Sequence, residues 1–149
     1  AFGSKKELFD RALARYDQQN RAAKLAELRE WDDPVAAIQA LFDGLIEEAQ
    51  GANRNLGCFV INTAQDLPNQ PPEVADVVRK ALADIESFFC EMIEKGQEKG
   101  QVPTSVAAPS TAQALLSMLV GLRLLARGAA GTDALHSIRD GAMRLVRAS

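Results

Sequence analysis

Between Val74 and Ile93, apolar residues recur at spacings of three and four: Val74, Val78, Ala81, Leu82, Ile85, Phe88, Phe89, Met92 and Ile93. That rhythm is the period of an amphipathic helix, and no convincing two-residue alternation appears elsewhere to suggest a strand. The chain is therefore expected to be all-α, with about six helices. Its 149 residues suit one domain with a real core. Hydrophobic residues make up 47% of the chain and aromatic residues only 5%, a balance that favours aliphatic helix packing.

Proline and glycine punctuate the pattern. The first helix is expected from about Ser4 to Gln19, with Leu8, Phe9, Ala12, Leu13 and Tyr16 on one face. From Gln18 to Trp31, Leu25, Leu28 and Trp31 recur every third residue, which fits either a helix or a folded-back connection. Asp33-Pro34 is a helix start, with Asp as N-cap and Pro in the first position. Val35, Ile38, Leu41, Phe42, Leu45 and Ile46 then form a stripe. Gly51 to Gly57 breaks the pattern, Cys58 to Leu67 resumes it as a short helix, and Pro68 to Pro72 reads as a loop. The long helix that follows ends in a polar tail from Lys95, with Gly96 and Gly100 as stop signals. Two more helices, about Ser110–Arg127 and Thr132–Arg147, are joined by a Gly128–Gly131 turn short enough for an antiparallel pair.

The first of these last two helices is apolar on nearly every face, so it needs cover all round. In the second, Leu135, Ile138, Ala142 and Leu145 recur at three, four and three, a seam for another helix. Two such pairs about a two-fold axis would make a four-helix bundle. The expected dimer residues are Leu122, Arg123, Leu125, Leu135, Ile138, Ala142 and Leu145; the other reading is that both helices complete a monomer core. Arg123 needs a partner in such apolar surroundings, and a structural salt bridge is the expected one.

Several chemistries lack their residues. There is no nucleophile elbow, phosphate loop, paired-carboxylate site or metal motif. Cys58 and Cys90 are too few for a disulfide framework, and the lone His136 has no triad around it. No apolar run approaches bilayer length and no signal peptide is visible, so a cytoplasmic chain with no membrane partner is expected. Net charge is −3, unevenly spread. Residues 33–100 carry five Lys/Arg against twelve Asp/Glu, so any nucleic-acid contact must come from the amino-terminal end.

That end holds the most specific wording. Ser4 and Glu7 have the spacing of a capping box. Lys5 and Lys6 sit where the helix dipole disfavours cations, a conflict that a polyanion would resolve. The segment Phe-Gly-Ser-Lys-Lys-Glu-Leu-Phe closely resembles the junction of TetR-family transcriptional regulators. There a helix-turn-helix ends and the regulatory domain begins, and Phe2, Ser4, Lys5 and Leu8 fill the family pattern. Gly57 to Asn62 is a second, weaker likeness, a Gly-Cys-hydrophobic run that opens a cavity-lining helix.

The resemblance implies that residues 1–3 are the remnant of a DNA-binding head and that 4–149 form the ligand-binding and dimerisation domain. It gives Lys5 a phosphate contact, operator DNA as a partner through the absent head, and a homodimer. It also implies a repressor that a small, largely apolar effector releases from DNA, with no cofactor and no enzymatic activity. Cys58, Phe59, Asn62, Phe89, Met92 and Met118 are the candidate pocket residues, although residues at helical spacing equally suit a core. Cys58 near a helix start also suits an oxidant-sensing thiol, or simply a small buried hydrophobe. A rival of another class is an all-α dimer that binds a protein partner without DNA.

Overall fold

The computed structural model describes residues 5–51, 59–128 and 131–147, without the side chains of residues 10, 59, 61 and 62. It contains α1 (Lys5–Arg29), α2 (Pro34–Gln50), α3 (Phe59–Ala64), α4 (Pro72–Glu98), α5 (Ala108–Leu125) and α6 (Thr132–Arg147). A 3-10 turn, Leu67–Asn69, bridges α3 and α4. Among the described residues there is no strand. The Ser4 half of the capping box, Phe2, Gly57 and Cys58 lie outside the described residues.

The amphipathic segment that announced the fold is its centre. α4 packs against α1, α2, α3 and α5, while α6 closes the other side against α2 and α5. Phe88, Phe89, Met92 and Ile93 of α4 are fully buried with Ile38 and Phe42 of α2 and Leu115 and Leu122 of α5. The Phe42 and Phe89 rings stack at 5.8 Å. Each such side chain contributes about 1.5–3 kcal/mol by leaving water.

Local signals place several ends. Asp33 caps α2 by accepting from the Ala36 N–H at 3.0 Å, with Pro34 at the start. Gly100, at φ +76°, ends α4 in a Schellman turn. The Gln101 N–H reaches the Gly96 carbonyl at 2.8 Å, and the Gly100 N–H reaches that of Gln97 at 3.1 Å. Gly96 is therefore not a stop but a buried helical position, and its missing Cβ makes room for Val102. The Gln97 amide then donates to the carbonyls of Pro103, at 3.1 Å, and Val106, at 2.7 Å, fastening the turn into α5.

Two other expectations change. The first helix does not end near Gln19, and of the two readings of residues 18–31 the helix holds: α1 runs unbroken to Arg29 because no glycine or proline interrupts it. Its core stripe is Ala14, Leu25 and Leu28, so the face expected to be buried turns outward. Leu8, Phe9 and Tyr16 are 56–65% exposed, and Ala12 is exposed beside them. Length has overruled local pattern: a straight 25-residue rod can aim only one continuous stripe inward. Secondly, α5 is long and apolar enough, by length and composition, to cross a membrane. Here it is a bundle helix, with Ala112, Leu115, Leu119 and Leu122 buried.

Candidate functional site

Where α1, α2 and α5 meet, the aliphatic interior is interrupted by charge. Arg21 of α1 donates from Nη1 to Asp17 one turn earlier, at 2.7 Å. Arg123 of α5 donates from Nη1 to Glu48, near the end of α2, at 2.8 Å. The two pairs form one electrostatic unit, because Asp17 feels Arg21, Arg123 and Glu48 together. Burial is the largest influence on Asp17 and raises its pKa above 3.8; the two arginines oppose that rise. Three N–H-bearing atoms, Arg21 Nε, Arg21 Nη2 and Arg123 Nε, are buried without a hydrogen-bond partner among the described residues. Native interiors rarely leave such donors unmet.

Two clefts open along the first half of α1. One, of about 340 Å³, lies against α4 between Arg11, Ala14, Arg15, Gln18, Glu73, Val74 and Val77, with an Arg11–Glu73 ion pair at 3.4 Å. The other, of about 440 Å³, follows the outer face past Leu8, Ala12, Tyr16 and Gln19.

Of the expected pocket residues, the structure describes the side chains of Phe89, Met92 and Met118. Phe89 and Met92 are sealed in the core and border neither cleft, because α4 is enclosed by its neighbours along that face. Met118 is half-buried where α5 meets α6, beside Gly141. Cys58, and the side chains of Phe59 and Asn62, lie outside the described residues; Thr63 is buried. Cys90 is half-buried, and burial, with nearby Glu94, Glu86 and Glu91, pushes its thiol pKa up.

The dimer residues divide in two. Leu122, Leu135 and Ala142 are buried within this one chain, because the α5–α6 seam itself consumes them. Ile138 is half-buried against the same core. Leu125 and Leu145 are 36% and 38% exposed, with Leu124 at 44% beside them. Arg123 pairs with Glu48, the salt bridge its surroundings called for. Lys5 is exposed at the start of α1. The Asp17–Arg21 pair was missed in the sequence, although its i,i+4 spacing was readable there; its burial was not. Among the described residues, no three His, Cys, Asp or Glu side chains are grouped to hold a metal.

Residues 34–142 match the family model described as tetracyclin repressor-like, C-terminal domain. The chain belongs to that family. This TetR-like regulatory domain also superposes on a solved TetR transcriptional regulator from Chloroflexus aurantiacus J-10-FL, with a TM-score of 0.81. The two are 21% identical, and the match covers 99% of this chain and 75% of the other, a likeness of fold. No curated protein matches the chain. The helix order of the TetR-like fold puts the half-buried charged unit beside the second half of α1 and the exposed apolar face at its amino-terminal end.

Proposed function

We propose that this TetR-like domain is the regulatory part of a DNA-binding transcriptional repressor. It takes up a small, largely apolar effector and thereby releases DNA, without catalysis or a cofactor, in the cytoplasm. The observation that carries the reading is the split character of α1. Its second half is fixed in the core beside the charged unit, while its first half offers Leu8, Phe9, Ala12 and Tyr16 to solvent. An apolar patch of that kind marks a surface that another module covers. We assign it to a helix-turn-helix ahead of α1, with Lys5 beside a DNA phosphate.

Unbroken helix joins the two halves. Arg21 is about 24 Å along the axis from Lys5 at 1.5 Å per residue. A tilt imposed at the charged unit therefore displaces the head. In a dimer it changes the spacing of two heads that must meet half-sites about 34 Å apart. A coupling of about 1–3 kcal/mol changes DNA occupancy 5- to 150-fold. The dimer would form through Leu124, Leu125 and Leu145, the apolar residues that α5 and α6 leave uncovered.

The test is a mobility shift with the regulator carrying its helix-turn-helix, on DNA flanking its own gene. Retardation that a hydrophobic compound reverses is the expected result. Absence of retardation at low salt would contradict the reading.

A further inference from the structure

We propose that Arg21 and Arg123 form the head site for a carboxylate, and that the effector is an apolar carboxylic acid. The inference rests on the regulator reading only in calling that ligand an effector. Arg21 spends Nη1 on Asp17 and keeps Nε and Nη2 unbonded. Those two atoms form the side-on edge of the guanidinium, whose parallel N–H bonds match the two oxygens of a carboxylate. Arg123 keeps its Nε in the same condition, and both arginines act on the one Asp17 carboxyl. The Arg21 and Arg123 side chains are only 12% and 16% exposed.

Two guanidiniums face two acids; burial raises the Asp17 pKa while both arginines oppose that rise. Glu48, which Arg123 reaches at 2.8 Å, is 62% exposed. The surroundings of the charged unit select the rest of the molecule. One turn from Arg21 and Asp17 are Leu25 and Ala14, and one turn from Arg123 is Leu119, all at most 5% exposed. An acid with an aliphatic body satisfies both halves, once the side chains part to admit it: its carboxylate takes the unbonded N–H edge of Arg21 and the Arg123 Nε, and its chain lies against aliphatic side chains.

The experiment compares hexanoate, octanoate and decanoate with the alcohols of equal chain length, by isothermal titration calorimetry on this chain. Saturable binding is expected, with each acid favoured over its alcohol by about ten-fold or more, the effect of one charge-assisted hydrogen bond. Arg21→Met should remove that preference. Arg21→Lys, which keeps the charge but not the side-on edge, should retain only part of it. Should Arg21→Met not fold, Arg123→Gln and the acid-to-alcohol ratio of the unaltered chain carry the same test. Equal binding of acids and alcohols, or no binding of either, overturns the inference. Alcohols that release DNA as well as acids do would overturn it while leaving the regulator reading intact. Acid binding with the expected ratio, but with no DNA retained by the headed protein, would uphold the site and remove the regulator reading.

Discussion

Gly96 offers a substitution whose sign depends on one neighbouring methyl. A Cβ placed there would be 2.5 Å from Val102 Cγ2, 3.4 Å from Val102 Cβ and 3.7 Å from Val35 Cγ2. Alanine within a helix gains about 0.8–1 kcal/mol over glycine from propensity alone. Against that, forcing a methyl into a packed interior costs about 1–3 kcal/mol. Val102 has little room to yield. It is 2% exposed, its N–H is bound to the Gly96 carbonyl at 3.1 Å, and a valine side chain is stiff about χ1. Gly96→Ala should therefore destabilise the chain by up to about 2 kcal/mol, the excess of overpacking over propensity. In a Val102→Ala background the 2.5 Å contact is gone and the 3.4 Å one to Cβ remains. The same substitution should then stabilise by up to about 1 kcal/mol. Urea denaturation followed by far-UV circular dichroism, on the four members of the double-mutant cycle, reads both signs. Stabilisation by Gly96→Ala in both backgrounds would refute the close approach and the assignment of Gly100 as the residue that ends α4.

Asp33→Ala should cost about 1 kcal/mol through the lost N-cap bond to Ala36, read as a lower urea midpoint. Asp17 has its pKa raised above 3.8 chiefly by burial, so the folded state holds this proton more tightly than the unfolded chain does. Its contribution to stability is present in full below about pH 3.8 and is lost as pH rises through the raised folded value. The stability of the unaltered chain minus that of Asp17→Asn should thus fall as pH rises through this range; a difference that grows would contradict the burial. Leu125→Glu combined with Leu145→Glu should turn a dimer into a folded monomer, measured by sedimentation equilibrium with circular dichroism as the check on folding. A dimer that persists would move the interface elsewhere.

What could be read in the sequence divides along the range of the interaction responsible. Asp33-Pro34 and the Thr132–Arg147 helix were legible to the residue, since caps, prolines and amphipathic periodicity act over one or two turns. Gly96 and Gly100 look alike as local stop signals. Only Val102, folding back onto the helix, separates the close-packed glycine from the left-handed one. The outward face of α1 was misread because its direction is decided a dozen residues later, where Leu25 and Leu28 enter the core. Leu122, Leu135 and Ala142, buried within the one chain, show the same limit: a seam pattern says that a helix is met, not which one. The salt bridge of Arg123 followed from its apolar neighbours, whereas the choice of Glu48 as partner, and the burial of Arg21 beside it, needed three helices in place.

The central claim is that effector binding in this domain controls hold on DNA, and one paired measurement addresses it most directly. A panel of hydrophobic acids and alcohols is ranked by the thermal shift each gives this chain. The same panel is then titrated into a mobility shift with the regulator carrying its helix-turn-helix. The expected result is a retarded band lost in the same order in which the compounds stabilise the domain. A band that survives the strongest stabiliser, or a protein that never retards DNA, would contradict the claim.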